Sequence, residues 1–174
     1  MIYKTDYQSK IGSITLASDG ENIIGLWMEG QKYHGGTVLE EMVEKDDLSI
    51  FIKAKKWLDL YFSGEKPNIS DLPLAPRGGK FRKIIWDILY EIPYGELTTY
   101  GEIAKKAANK MGKEKMSGQA VGGAVGHNPI SIVIPCHRVV SSNGSLTGYA
   151  GGIAKKIALL ELEGVDMSKL FTAL

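Results

Sequence analysis

A cluster of residues that interrupt regular structure, near the middle of the chain, constrains the fold most. Between residues 63 and 80, six positions are glycine or proline, namely Gly64, Pro67, Pro73, Pro76, Gly78 and Gly79. Both residue types weaken the interior of helices and strands, so this segment predicts a linker over about residues 63–80. The 174 residues are then expected to form two domains, at 1–75 and 76–174.

The N-terminal domain shows the alternation of apolar and polar side chains that is typical of β-strands. Residues 2–7, 11–17 and 22–28 follow this pattern and are separated by short polar turns, which predicts an antiparallel meander. Residues 37–43 and 50–62 instead repeat their apolar side chains at helical spacing. We therefore expect two helices after the strands.

The C-terminal domain begins with signals for helices. Residues 81–92 form an amphipathic pattern. Thr99 has a glutamate three residues later, the spacing of a capping box, which predicts a helix from residue 99 to about residue 108. Ser117 can cap a further helix over residues 118–126. Two short helices joined by a turn are typical of a helix-turn-helix.

The helix predicted over residues 118–126 has an unusual composition. Gly122 and Gly123 are consecutive, although an interior glycine costs roughly 1 kcal/mol relative to alanine. On a helical wheel the apolar side chains share the inward face, and the outward face consists of Gln119, Gly122, Gly123 and Gly126. This nearly bare backbone indicates a close-fitting neighbour, either nucleic acid or another part of the chain. The helix alone favours neither.

The single cysteine lies in an apolar run. Residues 130–140 are rich in β-branched side chains, which predicts a buried strand that delivers Cys136 beside His137. A free thiol with a pKa of about 8.5 is only slightly ionised near neutrality, so His137 is the candidate base. Neighbouring side chains on a strand point to opposite faces, so either the strand bends or water bridges the two. By itself, Cys136 fits an inert core residue and an activated nucleophile equally well.

Composition excludes several classes of protein. The sequence has no run of about 18 apolar residues, and its N-terminus becomes polar too early for a secretory signal. We therefore expect a cytoplasmic protein that does not enter the membrane. One cysteine cannot form an internal disulfide, and the three histidines lack zinc-ligand spacing, so we expect no metal.

Charge differs between the two predicted domains. Residues 1–75 carry 8 basic and 12 acidic side chains, net −4, and residues 76–174 carry 13 basic and 8 acidic side chains, net +5. A basic C-terminal half is consistent with a polyanionic partner.

Three motifs in the C-terminal half resemble one family. They are Ile-Pro-Cys-His-Arg-Val-Val at residues 134–140, Ala-Val-Gly-Gly-Ala at 120–124 and Thr-Gly-Tyr-Ala-Gly-Gly at 147–152. Together they resemble the O6-alkylguanine-DNA alkyltransferases, also called methylated-DNA–protein-cysteine methyltransferases. The resemblance is strong over residues 81–164, and before the linker it rests only on the order of strands and then helices.

The resemblance implies an α+β fold. A small ribonuclease-H-like N-terminal domain would be followed by a C-terminal helical domain with a helix-turn-helix and a short active-site strand.

The resemblance also implies roles for single residues. Cys136 would accept the alkyl group from guanine O6, with His137 as the base through a water molecule and Glu163 orienting the imidazole. Tyr100 matches a tyrosine near the flipped nucleotide, a proton donor as the base leaves. The matched positions that contact the base are Val139, Tyr149 and Ala150, and those assigned to DNA binding are Ser117, Gly118, Gln119, Ala120, Gly122 and Asn128.

The activity implied is DNA repair by direct, irreversible transfer of an alkyl group to the protein, with one turnover per molecule and no cofactor. The implied partner is double-stranded DNA containing O6-alkylguanine, bound through its minor groove by a monomer, with the guanine rotated out of the stack. Whether O4-alkylthymine is also a substrate is left open.

One position departs from the family. Gln119 stands where an arginine commonly inserts into the duplex, so we expect weaker and less salt-dependent binding to DNA.

Two other functions stay open at this point. One is lesion binding without transfer, against which the presence of Cys136 argues. The other is hydrolysis at a Cys-His-Glu site, which would leave the glycine face unexplained.

Overall fold

The structure is a computed structural model that describes residues 1–146 and 148–172. It contains two compact units, which are Met1–Arg77 with Pro129–Val133 and Gly78–Asn128 with Ile134–Leu174. The first unit holds a four-stranded sheet and a long helix, and the second is mainly helical. The mixed α+β class predicted from the sequence is confirmed.

The sheet of the first unit has the strand order β3-β2-β1-β4. β1 (Ile2–Ser9), β2 (Gly12–Ser18) and β3 (Ile23–Met28) are antiparallel, which confirms the predicted meander. β4 (Met42–Glu44) lies on the other side of β1 and pairs with it in parallel. All of β3 is buried, so this strand forms the centre of the first unit's core.

The prediction of a helix over residues 37–43 is wrong. Residues 31–41 form turns and irregular backbone, and β4 follows at Met42–Glu44. Seven residues are too few for a helix that is stable by itself, whereas the edge of β1 offers unpaired backbone groups that β4 satisfies. The second predicted helix is confirmed as α1 (Ser49–Phe62), which packs its apolar side against β1 and β2.

Strand β3 also holds two segments that are distant from it in sequence. The Ile23 N–H donates to Pro73 O at 2.9 Å, and the Leu26 N–H donates to Pro129 O at 2.9 Å. Ser131 adds a bond from its N–H to Leu26 O at 3.0 Å. The sheet therefore orders part of the predicted linker and the beginning of the run that leads to the cysteine.

Three helices of the second unit pack against one another: α2 (Lys80–Tyr90), α3 (Tyr100–Lys110) and α4 (Gly118–Gly126). Both predicted N-caps are confirmed. Thr99 Oγ1 accepts a hydrogen bond from the N–H three residues later at 3.1 Å, and Ser117 Oγ does the same at 3.2 Å. The caps fix where α3 and α4 begin, and therefore the geometry of the turn between them.

A short parallel pair of strands ties the start of α3 to the stretch after the cysteine. β5 (Thr98–Thr99) pairs with β6 (Val139–Val140), and Tyr100 follows β5 directly. α5 (Ile153–Leu162) completes the unit and ends at Glu163, its C-cap residue. Two predicted catalytic residues, Tyr100 and Glu163, therefore lie at the ends of helices.

The inward face of α4 is as predicted. Val121, Ala124 and Val125 are buried. Trp86 of α2 donates from its indole Nε1 to Ala124 O at 2.9 Å. This bond is buried and fixes α4 against α2.

The outward face of α4 is open. On this surface lie Gln119, Gly122, Gly123 and Gly126, and Gly118 begins the helix. We call the four glycines the glycine face. Apart from its chain neighbours and the backbone of its own helix, a Cβ atom built on any of the four would meet no heavy atom within 4 Å in the described part of the chain. The interpretation that these glycines admit a neighbouring helix or the sheet is therefore wrong for residues 1–146 and 148–172. The alternative interpretation, contact with nucleic acid, stays a prediction.

Replacing Gly123 with alanine should raise the free energy of unfolding by about 1 kcal/mol, because alanine favours a helix interior by roughly that amount. The new methyl group meets nothing in the described chain. Urea denaturation of the two proteins measures the difference.

The matched control is Gly95→Ala. Gly95 has φ +77°, and a Cβ there would lie 3.1 Å from Glu163 O, so this variant should be less stable than the wild type. A Gly123→Ala protein that also lost stability would contradict an open glycine face.

Candidate active site

The prediction of a single strand over residues 130–140 is wrong for the first part of this segment. Only Val139–Val140 form a strand, and Cys136–Arg138 form one turn of 3-10 helix. Pro135 precedes this turn with φ −83° and ψ 66°, outside the strand region, and has no N–H for a sheet partner. All residues of the run are buried. Their β-branched composition therefore reflects burial and not a strand.

Two three-residue turns take the place of that strand. The Val133 N–H donates to Ser131 O at 2.8 Å, and the Cys136 N–H donates to Ile134 O at 2.8 Å. Ile132, at the centre of the first turn, has φ 70°, a conformation that costs a β-branched residue on the order of 1–3 kcal/mol. The chain therefore bends before Cys136, one of the two geometries that the sequence allowed.

Buried polar groups surround the thiol. Asn128 Nδ2 donates to Ile134 O at 2.7 Å, which holds the turn that precedes Cys136. Burial raises the pKa of the Cys136 thiol, and hydrogen bonds from Asn128 and Tyr149 and the charge of Lys156 oppose that rise. The resting thiol is protonated at neutral pH, so nucleophilic chemistry here requires a base.

The Glu163 carboxylate is the centre of the site's hydrogen bonds. It accepts from His137 Nε2 at 2.5 Å, from Arg138 Nε at 2.7 Å and from the Gly95 N–H at 3.0 Å. Its side chain is 0% exposed. Burial acts to raise the pKa of Glu163, but the hydrogen bonds and charges of His137 and Arg138 outweigh it and hold the pKa well below the usual range. Glu163 is therefore a buried anion.

The bond to Glu163 fixes the tautomer of the neutral His137 ring. Its Nε2 carries the proton that is donated, so in the neutral ring Nδ1 carries the lone pair. Burial lowers the pKa of His137, and the charges of Arg138 and Lys156 lower it further, while Glu163 acts in the opposite direction. His137 is thus a neutral base next in sequence to the thiol.

A buried lysine joins the two sides of the predicted base pocket. Lys156 Nζ donates to Val139 O at 2.6 Å and lies 5.9 Å from the centroid of the Tyr149 ring. Burial lowers the pKa of Lys156 to about 8. Val139 and Tyr149 are buried, and Ala150 is half-buried. The lysine therefore fixes two of the three predicted pocket residues.

Tyr100 is brought next to the cysteine. The β5–β6 pair holds the start of α3 beside the end of the cysteine turn. Burial raises the pKa of Tyr100, and the charge of Cys136 raises it further. A Cβ on Gly148 would lie 3.3 Å from the Tyr100 hydroxyl. Tyr100 is therefore a neutral hydroxyl that can donate a proton.

Arg138 and Lys156 were not predicted as site residues. The sequence could have indicated Lys156, because it falls on the apolar side of the helical pattern of α5, between Ile153 and Leu160. Arg138 had no such indication beyond its place beside His137, since nothing in the sequence shows that it shares a carboxylate with that residue.

The residues predicted to bind DNA fall into two groups. Ser117, Gly118, Gln119 and Ala120 are exposed at the start of α4 and Gly122 is half-buried on the same helix, whereas Asn128 is 3% exposed. Asn128 is bonded to the turn before the cysteine. Asn128 is therefore buried against the cysteine turn, unlike the other five.

The described residues contain neither a metal-binding group of side chains nor a membrane-spanning helix. Within residues 1–146 and 148–172, no group of three or more histidine, cysteine, aspartate or glutamate side chains could hold a metal ion. Over the same residues, no helix has the length and apolar character needed to span a bilayer.

Sequence models of one family match both units. Residues 2–76 match the ribonuclease-like domain of 6-O-methylguanine DNA methyltransferase, and residues 80–165 match its DNA binding domain. A methylated-DNA–protein-cysteine methyltransferase of Haemophilus influenzae is 42% identical over 94% of this chain and 87% of its own length. One of Methanosarcina acetivorans is 44% identical over 94% and 99%.

Solved structures show the same similarity. The O6-methylguanine methyltransferase of Mycobacterium tuberculosis superimposes with a TM-score of 0.79 at 40% identity, over 98% of this chain and 96% of that one. A structure of the M. tuberculosis protein in complex with DNA gives a TM-score of 0.76 at 39% identity, over 97% and 94%.

Replacing Asn128 with alanine should lower the free energy of unfolding by about 1–3 kcal/mol, because Ile134 O would lose its donor inside the protein. Asn109→Ala, at an exposed position of α3, is the control and should change stability little. Urea denaturation measures both. Equal effects of the two substitutions would contradict a structural bond at Asn128.

Proposed function

The chain belongs to the methylated-DNA–protein-cysteine methyltransferase family and repairs DNA by transferring an alkyl group to a cysteine, and we propose that Cys136 is the acceptor. The observation that carries this assignment is the hydrogen bond between His137 and Glu163, which orients the imidazole of the residue that follows the only cysteine in the sequence. The substrate we propose is O6-alkylguanine in double-stranded DNA.

The proposed transfer is a single displacement at the alkyl carbon. His137 Nδ1 takes the thiol proton, through a water molecule, and the sulfur of Cys136 forms a bond to the alkyl carbon. The bond from that carbon to guanine O6 breaks, and its electron pair returns to the guanine, which takes up a proton from Tyr100. The product is a thioether, and no group in the proposed site attacks it, so each molecule reacts once.

Burial of the thiol requires the nucleotide to leave the duplex. Cys136 is 4% exposed, and the O6 atom of a stacked guanine cannot reach it. Rotating the nucleotide out costs a few kcal/mol. The base would then lie against Val139, Tyr149 and Ala150, where backbone groups and an aromatic ring can recognise a flat heterocycle.

The glycine face is the surface that we propose lies in the minor groove. Its lack of side chains lets the α4 backbone approach the floor of a narrow groove, and no described part of the chain fills it. We propose that lysines of the same unit supply positive charge for phosphates. Those on α3 and the connection to α4 are exposed, namely Lys105, Lys106, Lys110, Lys113 and Lys115.

We propose a monomer that acts in the cytoplasm without a cofactor. The transfer described needs only a thiol, a base and a proton donor. A thiol nucleophile also has to stay reduced, as it does in that compartment.

The assignment is tested with a duplex that contains one O6-methylguanine, by mass spectrometry of the denatured protein and its peptides. We expect one methyl group per protein, on the peptide that contains Cys136, and none on a Cys136→Ser variant that still binds the lesion. Binding without any adduct would indicate lesion recognition alone. Release of more than one equivalent of product would indicate a turning-over hydrolase.

Replacing Gln119 with arginine should raise DNA affinity, because an arginine at this exposed position can contact the duplex with a positive charge. The dependence of affinity on salt should steepen by about 0.9 in logarithmic slope if one phosphate is neutralised. Fluorescence anisotropy over a salt series measures both quantities. Lys53→Gln on α1, an exposed lysine of the first unit, is the charge control. Unchanged or lower affinity of the arginine variant at fixed salt would refute contact between residue 119 and the duplex.

A further inference from the structure

The guanidinium of Arg138 is enclosed by groups of the same unit. Its Nε donates to Glu163 Oε1 at 2.7 Å, and its Nη1 donates to Ile92 O at 2.6 Å. The ring of Tyr94 lies 5.7 Å from the guanidinium carbon, measured to the ring centroid. The side chain is only 9% exposed. Its role is therefore found inside the protein and not in a surface contact.

Arg138 and His137 share one carboxylate although they are neighbours in sequence. Glu163 Oε2 accepts from His137, and Oε1 accepts from Arg138. A buried carboxylate whose single partner was a histidine would draw a proton onto the imidazole. An imidazolium has no lone pair and cannot act as a base.

The charge of Arg138 counteracts that effect. A guanidinium stays protonated at every pH at which the protein is folded, so the Glu163–Arg138 pair has no net charge. The pair can then orient the imidazole through a hydrogen bond without placing an uncompensated anion beside it.

We propose that Arg138 is a positioning residue that keeps His137 uncharged in the resting protein, so that its Nδ1 atom can accept the thiol proton of Cys136. This inference rests on the proposed function and assigns a role to a residue that the transfer scheme does not otherwise use.

Several charged or titratable groups besides Arg138 face His137 or its surroundings. Glu163 and Lys156 approach His137 from α5 and its C-cap, and Cys136 lies in the same turn. Tyr94 faces Glu163 from the turn after α2, and Tyr100 faces Cys136 from the start of α3. Of the two nearby cations, Lys156 donates to Val139 O and only Arg138 bonds the carboxylate. The charge of Arg138 lowers the pKa of His137, against the effect of Glu163.

The test is the pH dependence of single-turnover transfer from O6-methylguanine DNA at saturating DNA. In the wild type the rate rises with pH as His137 becomes neutral. We call this rise the ascending limb of the pH–rate profile. Arg138→Met leaves Glu163 as an uncompensated anion, which raises the pKa of His137. The ascending limb should therefore move to higher pH. Below the limb the rate should fall about tenfold for each pH unit of displacement. Arg138→Lys keeps the charge, so its limb should lie near that of the wild type.

Two further variants separate charge from structure. Glu163→Gln removes the anion and leaves Arg138, so its limb should move to lower pH. The double variant Arg138→Met with Glu163→Gln removes both charges, so its limb should return from the Arg138→Met position toward the wild type. If Arg138→Met does not fold, the two variants are compared with each other: the limb of the double variant should lie at higher pH than that of Glu163→Gln, because the double variant lacks the charge of Arg138.

A uniform loss of rate at all pH values in Arg138→Met, with the limb in its wild-type position, would overturn the proposal. The proposal would also be overturned if the limb of the double variant stayed at the pH found for Arg138→Met. The same holds if the limb of Glu163→Gln did not move to lower pH. Failure of the proposed function is distinguishable, because then the wild type itself transfers no methyl group.

Discussion

The site depends on one buried carboxylate. Glu163 sits at the C-cap of α5, where the helix dipole disfavours an anion, and it is fully enclosed. Three donors compensate that cost, and they come from separate places: the turn of the cysteine, supplied by His137 and Arg138, and the turn at Gly95. The carboxylate therefore joins the turn after α2, the cysteine turn and the end of α5 into one arrangement. Replacing one donor leaves a buried charge partly unpaired, and that costs more than the bond contributes.

Stability and DNA recognition place opposite demands on α4. Its inward side is ordinary helix packing, with the Trp86 indole bonded to Ala124 O. Its outward side gives up roughly 1 kcal/mol at each interior glycine and gains no contact within the described chain. We propose that this side lies in the minor groove of DNA, because a narrow groove lined by phosphates fits a helix face of this shape and a basic surface.

Much of this arrangement could be predicted from the sequence, and the rest failed for physical reasons. Local signals were sufficient for the meander, for α1 and for the Thr99 and Ser117 caps. Residues 37–43 were misread because helical spacing over a short segment cannot compete with a free sheet edge. The prediction of a strand before Cys136 failed because β-branched composition reflects burial, which turns inside the core share with buried strands. The bond from Arg138 to Glu163 spans 25 residues, and no local pattern encodes it.

The central claim is that His137 is neutral, with its proton on Nε2, where it is donated to Glu163, and its lone pair on Nδ1. Nitrogen-15 NMR of the imidazole side chains at neutral pH tests it most directly, with a His137→Gln variant to assign the signal among the three histidines. The account predicts one protonated and one unprotonated nitrogen for His137, with the proton on Nε2. An imidazolium signal, or a proton on Nδ1, would contradict it.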